Sequence, residues 1–386
     1  MEVQPKWYQP IYIPDWHIYD CFYSDIGEFV IIMPAEMQPA PSIQICPGIN
    51  NSVALHLNKC PHNHTYVYKL DAQRVNSILG QHTKNYPNTV TISIQNADAN
   101  HKIEININKY PSYAGQLVMS TLVKHEDNII RTWIDFHIRL GVQRFIIYDN
   151  AGTSESLESL RKVLLDYILD GVVILISWPY SYRLPISDIS GQTTQQNHAI
   201  RAFNTARWIG LMDVDEFINI QRPDIIHNGG LCRFLDSMTS NYTKLGALRL
   251  CNKFFYNPEN LPVDNGQFLQ ITNCANKVTK KGREKCFVNP SCVCTFSVHM
   301  ITRGLRMITI PPRFGYFNHY CYLNKPDQKQ KTQKQTLWHD SSITRYLPGS
   351  SPNNQFVNTN RIYCHPNSSG ADEINSQPFL TYNPTK

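Results

Sequence analysis

The sequence predicts an α/β protein with a mostly parallel sheet, preceded by a β-rich lobe and followed by a polar extension. Three observations lead there. Between Leu117 and Asp213, four short apolar runs alternate with helical segments, the order that builds a parallel sheet with helices on both faces. Residues 27–110 instead hold short β-branched or aromatic runs parted by Pro, Gly and Asn. In the last sixty residues apolar periodicity lapses, and 348–386 is rich in Pro, Asn and Ser. The expected divisions are 1–112 for the accessory lobe, 113–325 for the main domain, and 326–386 for a partly disordered polar extension.

In the lobe, the strands are FVIIMP (29–34), TYVYKL (65–70), TVTISIQ (89–95) and KIEININ (102–108); the last two alternate with period two. LVMSTLV (117–123) opens the main domain as a continuous apolar strand. Asp127 is placed to cap a helix running to Leu140, with Ile130, Ile134 and Ile138 on one stripe and Gly141 just past its end. RFIIYD (144–149) is the next strand, and Ser154 to Asp170 the next helix. VVILIS (172–177), a helix around Gln195–Ala206 and the strand WIGLMD (208–213) complete the alternation. LGALRLC (245–251), FSVHMI (296–301) and RMITI (306–310) read as further strands, and KPDQKQKTQKQTLWHD (325–340) as a surface helix.

With 386 residues, 42% of them hydrophobic, the chain can bury a sizeable core. Its net charge of +6 is mild and suits a phosphorylated small molecule as well as a solvated tail. No basic stripe with interleaved aromatics marks a nucleic-acid surface. No run reaches the roughly 18 apolar residues of a membrane span, and MEVQPKWYQPIYIPDWH has charges and prolines where a signal peptide is apolar. A soluble, cytoplasmic protein is expected on those grounds. Eleven cysteines is an odd count; Cys274, Cys286, Cys292 and Cys294 lie close together and are open to two readings, a zinc or disulfide cluster or a set of free thiols.

The chemistry concentrates in WIGLMDVDEF (208–217). In an extended chain residues i and i+2 point the same way, so Asp213 and Asp215 can converge on one hard cation, Mn2+ or Mg2+. The spacing alone is weak, because 19 aspartates in 386 residues yield about one such pair by chance. Context strengthens it: carboxylates at the mouth of a buried strand are costly unless something compensates. A capping or salt-bridge role is the alternative. Glu216 stands beside the pair. Other strand ends are polar too: Lys124, His125, Glu126 and Asp127 after the first, Asp149 and Asn150 after the second, Ser177 after the third. In open sheets ligands sit at such carboxyl ends. Gln195, Gln196, Asn197 and His198 open the helix before the acidic strand, and His299 and His319 stand beside later strands.

Taken in order, these pieces resemble glycosyltransferase family 92, typified by galactosyltransferases that extend core fucose. LVKHEDNIIRTWIDFHIRLGVQRFIIYDN (122–150), GQTTQQNHAIRAF (191–203) and RWIGLMDVDEF (207–217) carry the resemblance, with Trp178-Pro179, Lys285, Pro290, His299 and His319-Tyr320 following. The resemblance implies a GT-A fold and inverting transfer of a hexose, galactose above all, from a UDP-sugar to a glycan or glycoconjugate acceptor. It implies Mn2+ (or Mg2+) at Asp213 and Asp215, with His319 as third ligand and His299 as alternative. Thr121, Lys124, Glu126, Asp149 and Asn150 would line the nucleoside pocket, Gln196 and Asn197 would approach the sugar or ribose, and Lys285 or Lys325 the diphosphate. Glu216, Glu259, Asp264 and Asp188 are candidates for the base, which stays unassigned. The chain departs from the family at Cys321, where an arginine is usual, and in NKFFYN (252–257), where a Gly-rich segment is usual. Anchored animal relatives make a Golgi or secretory location the alternative. The rival functions are a glycan-binding or scaffolding protein without turnover, and a nucleotidyltransferase; the latter usually has a Gly-rich phosphate loop, and STLVKHED has no glycine.

Overall fold

A computed structural model describes residues 7–11, 18–24, 29–34, 42–46, 58–62, 65–69, 89–96, 99–106, 108–183, 190–221, 230–242, 244–257, 264–279, 282–320 and 338–347. They form a mixed α/β fold of several sheets and few helices. The elements that frame the site are β1 (Trp7–Tyr8), β2 (Leu117–Val123), α1 (Ile130–Arg139), β3 (Arg144–Asp149), α2 (Ser154–Leu169), β4 (Val173–Ser177), α3 (Ser190–Ala202), β5 (Trp208–Leu211) and β6 (Glu216–Ile220). They continue with β7 (Ala247–Leu250), β8 (Asn252–Phe255), β9 (Lys285–Val288), β10 (Met307–Thr309) and β11 (Gly315–Tyr320).

The main sheet has eight strands in the order β1-β4-β3-β2-β5-β9-β7-β10. The pairs from β1 to β5 are parallel, whereas β9 runs antiparallel to both β5 and β7. The central strands are continuous apolar runs because both of their faces are covered. Alternate side chains divide between the faces. Leu117, Met119, Phe145, Ile147 and Leu175 pack with residues of α1 and α2, while Val118, Ile146, Tyr148, Ile174 and Ile176 pack with α3 and the N-terminal residues Tyr19 and Phe22. A second sheet contains β6-β11-β8 and the short strands Asn273–Cys274 and Trp338–His339.

Several expectations are corrected in detail. Asp127 does not cap α1: the cap residue is Ile129, and the first free N–H groups, of Ile129 and Ile130, are met by the Glu126 carbonyl. Asp127 instead accepts the Ser159 hydroxyl. Helix α3 begins at Ser190, not near Gln195, and ends at Ala202. Its polar first turn lacks apolar periodicity, yet Gly191–Ala202 is buried throughout. Gly191 permits that approach, since a Cβ there would fall 2.4 Å from the Ser181 carbonyl oxygen and 2.7 Å from Tyr182 Cα. FSVHMI is the middle of a hairpin, Val293–Ser297 with Met300–Gly304, and His299 sits in its turn. WIGLMD pairs only through Leu211, and Glu216 then starts a strand of the second sheet.

In the N-terminal part, Phe29–Pro34, Thr65–Lys69, Thr89–Asn96 and Ala99–Asn106 are strands, in sheets of five and three. The N-terminus also joins the main sheet, with Trp7 opposite Leu175 and Tyr8 opposite Ile176. Of the polar extension only 338–347 is described. The expected surface helix is described only from Trp338, whose strand holds two residues, and the tail at 348–386 lies outside the described residues, as do Lys325, Glu259 and Asp188. Cys274, Cys286, Cys292 and Cys294 are free thiols. No described helix is long and apolar enough to cross a membrane.

Candidate active site

The site forms where β5 stops. Met212 N–H reaches the Ser120 carbonyl at 3.2 Å, the last tie to the sheet. Asp213 to Glu216 then make a turn closed from both sides: Glu216 N–H donates to Asp213 O at 3.2 Å, and Asp213 N–H donates to Glu216 Oε2 at 3.0 Å. The turn sends the chain into β6, which lies antiparallel to β11 with Glu216 directly opposite His319. The Asp215 carbonyl accepts the Tyr320 N–H at 2.9 Å, so β11 pins the turn from its far side.

Three side chains converge there. His319 Nε2 lies 3.4 Å from Asp215 Oδ2, and its Nδ1 lies 3.7 Å from Glu216 Oε1. One ligating atom from each of Asp215, Glu216 and His319 falls within 4.8 Å of the others, the one such group among the described residues. Lys285, at the start of β9, fills the other side. Its ammonium lies 2.5 Å from Asp213 Oδ2 and 3.3 Å from Glu216 Oε2. Gln192, on the first turn of α3, donates to Asp213 Oδ1 at 3.1 Å and accepts the Tyr182 hydroxyl at 3.0 Å.

The electrostatics follow from that packing. Glu216 is 1% exposed, and burial pushes its carboxyl up to about 8 even though Lys285 and His319 oppose the rise. Burial works the other way on Lys285, yet Asp213 and Glu216 outweigh it and hold the ammonium firmly protonated. Burial raises Asp215 as well, but His319 and Lys285 bring it below the usual carboxylate range. His319 answers in kind: burial disfavours its imidazolium, and Asp215 and Glu216 carry its pKa above the ordinary value.

Asp149 ends β3, 3% exposed, with Oδ1 accepting the Ala151 N–H; burial raises its pKa. Asn150 donates to the carbonyls of Trp178 and Tyr180 at 2.7 Å each, which ties the end of β3 to the chain after β4. Thr121 is buried in β2, while Lys124 is exposed and Glu126 half-buried beyond it. Gln196 is buried in α3, and Asn197 is committed to the backbone of Phe296, accepting its N–H at 2.9 Å and donating to its carbonyl at 2.7 Å. His299 sets Nδ1 against the Glu284 carbonyl at 2.5 Å, apart from the cluster of three. Asp264 begins a 3-10 segment.

Two features escaped the sequence reading, the contact of Gln192 and the backbone conformation of His125. Gln192 looked like any polar helix residue, and only its contact with Asp213 distinguishes it. His125, beyond β2, has φ of 58°, the one positive value for a non-glycine among the described residues; such backbone is uncommon outside glycine and clusters at functional sites.

The profile of glycosyltransferase family 92 matches residues 118–347, a span that contains Asp213, Asp215, Glu216, Lys285 and His319. A glycosyltransferase family 92 protein of Ricinus communis is 25% identical over 217 residues, covering 54% of this chain and 35% of that protein. One from Oryza sativa subsp. japonica is 24% identical over 218 residues, covering 54% and 34%. One from Arabidopsis thaliana is 27% identical over 222 residues, covering 54% and 35%. The chain thus spans about a third of the length of these curated relatives.

Proposed function

The chain belongs to glycosyltransferase family 92, and on that premise we propose that it transfers a hexose, galactose first among the candidates, from a UDP-sugar to a hydroxyl of a glycan or glycoconjugate, with inversion, on a GT-A fold. The observation that carries this reading is the convergence of Asp215, Glu216 and His319 at the carboxyl edge of a parallel sheet, with Lys285 beside them. Ligands of open α/β sheets bind at that edge.

The donor set suits Mn2+ or Mg2+: carboxylate oxygens are the ligands hard divalent cations take, and one imidazole completes the group. Asp215 and His319 are the residues for it, with Asp213 or Glu216 as the further carboxylate. Such a cation supplies charge neutralisation for the diphosphate that leaves. Lys285 adds a fixed positive charge that needs no proton at neutral pH, because it is already held as the ammonium. Thr121 and Asp149, on the neighbouring strands β2 and β3, are the candidates to line the nucleoside pocket. An inverting transfer also needs a base in contact with the acceptor hydroxyl. Glu216, 1% exposed, is set in the floor of the site, which favours a structural or ligating part for it over that of the base.

The test is hydrolysis of UDP-galactose and UDP-glucose with and without Mn2+, in the wild type and in Asp215→Asn. We expect metal-dependent release of UDP that falls by about 100-fold or more in the variant, the scale of losing one transition-state electrostatic contact. No release by the wild type, or equal release by both, would end the transferase reading.

A further inference from the structure

We propose that Asp213 is the anchor of this site rather than a cation ligand, and that Asp215, Glu216 and His319 form the protein's share of the cation shell. The inference rests on the metal-dependent reading above and departs from the paired Asp213–Asp215 site that spacing alone suggests.

Both oxygens of Asp213 are already taken. Oδ1 accepts from the Gln192 amide at 3.1 Å, and Oδ2 from the Lys285 ammonium at 2.5 Å. A divalent ion drawn to Asp213 would have to displace a buried ammonium or sit against it, and like charges at such range repel. The carboxylate is held in that role from several directions. The Tyr182 hydroxyl fixes the Gln192 amide, and the Gly191 N–H, bonded to the Tyr182 carbonyl at 3.1 Å, fixes the start of α3 against the same loop. The two-residue alternation that would aim Asp213 and Asp215 together is also lost, because both lie in the turn between β5 and β6 and not in a strand.

Glu216 has the complementary arrangement. Its Oε2 receives the Asp213 N–H at 3.0 Å and faces Lys285 at 3.3 Å. Its Oε1 faces His319, the residue opposite it across β6 and β11. On the other side of the same imidazole stands Asp215 Oδ2 at 3.4 Å. The three ligating atoms lie within 4.8 Å of one another, a span that a cation with bonds of about 2.0–2.6 Å can bridge. Gln192 and Lys285 together occupy Asp213, whereas Lys285 faces only one oxygen of Glu216 and leaves the other to give. That division accounts for a fully buried glutamate at the end of the acidic run, which the transfer reaction by itself does not require.

The assignment is tested by titrating the full chain with MnCl2 alone, following free Mn2+ by electron paramagnetic resonance, in the wild type, Asp213→Asn, Asp215→Asn, Glu216→Gln and His319→Gln. We expect Asp215→Asn, Glu216→Gln and His319→Gln each to weaken Mn2+ binding by about 100-fold or more, and Asp213→Asn by no more than about tenfold, the lower end of what groups behind the ligands cost. The reverse order, with Asp213→Asn as damaging as Asp215→Asn and Glu216→Gln nearly silent, would overturn it. Crystals of the wild type soaked in MnCl2 give a readout that does not depend on a variant folding. An anomalous peak within ligand distance of Glu216 Oε1 and His319 supports the assignment, and one shared by Asp213 and Asp215 refutes it. Failure of the wild type to bind Mn2+ would sink this assignment, while UDP-hexose turnover without metal would keep the transferase reading. Mn2+ held by these three residues with no turnover would do the opposite.

Discussion

Asp20 and His198, 178 positions apart, meet at 2.8 Å with both side chains wholly out of solvent. The pair sits in a closed network: Tyr110 donates to the same Asp20 oxygen at 2.5 Å, Tyr148 bonds the other imidazole nitrogen at 2.7 Å, and the N–H groups of Ile11 and Cys21 take the second oxygen. It joins the N-terminal residues to α3, the helix that delivers Gln192 to Asp213. Asp20 lies outside the span matched by the family profile.

Asp20→Ala is therefore expected to destabilise the fold by about 3–5 kcal/mol, the cost of stranding one partner of a buried pair. Urea unfolding monitored by tryptophan fluorescence measures it. A loss under about 1 kcal/mol would show that the network contributes little beyond packing.

His137 gives the acid side of the stability curve. It is buried in α1, with Nδ1 against the Trp133 carbonyl at 2.8 Å and Nε2 towards the Ile218 N–H at 3.5 Å. Burial lowers its pKa to about 3, against the Trp133 contact that raises it. Because the folded value lies below the unfolded one, near 6.5, the unfolded chain binds the extra proton and stability drops as pH falls from about 6.5 towards 3. Unfolding free energies measured across that window should decline less steeply in His137→Gln than in the wild type. Identical slopes would show that His137 does not set the acid side of the stability curve.

Gly191→Ala tests how closely α3 must approach the loop at Ser181 and Tyr182. The added Cβ meets backbone, which cannot swing aside as a side chain can. The start of α3 must then shift, and Gln192 with it. Expected results are a destabilisation of about 1–3 kcal/mol, as for other overpacked sites, and a fall in UDP-hexose hydrolysis larger than in Gln192→Ala. Wild-type stability and activity in the alanine variant would contradict the packing argument.

Lys285→Met removes the cation from between Asp213 and Glu216. Glu216 is left buried without it, while Asp213, its side chain 39% exposed, can turn to water. The cost should fall at the lower end of the about 3–5 kcal/mol seen when buried pairs are broken, measured by urea unfolding at pH 9, above the value of about 8 to which burial pushes the Glu216 carboxyl. A neutral substitution at that pH would mean that Lys285 does not hold the Glu216 charge.

The parallel core was legible because its strands are apolar runs of the right length and its helices keep one apolar stripe. Leu117–Val123, Arg144–Asp149 and Val173–Ser177 appear almost where the pattern put them. The acidic run was legible too, as an expensive cluster at a strand mouth. What joins it was not. His319 reaches Glu216 through antiparallel register, and Lys285 reaches Asp213 across 72 positions; no local period encodes either contact. The start of α3 was missed because its first turn is polar and carries no apolar stripe, although it is buried from Gly191 on. Asp127 was read as a cap because its residue type suits one, whereas the backbone carbonyl of Glu126 serves that end.

The Asp215 cluster is proposed to bind a nucleotide donor through a divalent cation. Calorimetric titration of UDP into the wild type and Asp215→Asn, each with and without Mn2+, addresses it most directly. Mn2+ should tighten UDP binding to the wild type by about tenfold or more, a coupling of roughly 1.4 kcal/mol, and leave Asp215→Asn unchanged. UDP affinity indifferent to Mn2+ in the wild type would contradict the claim.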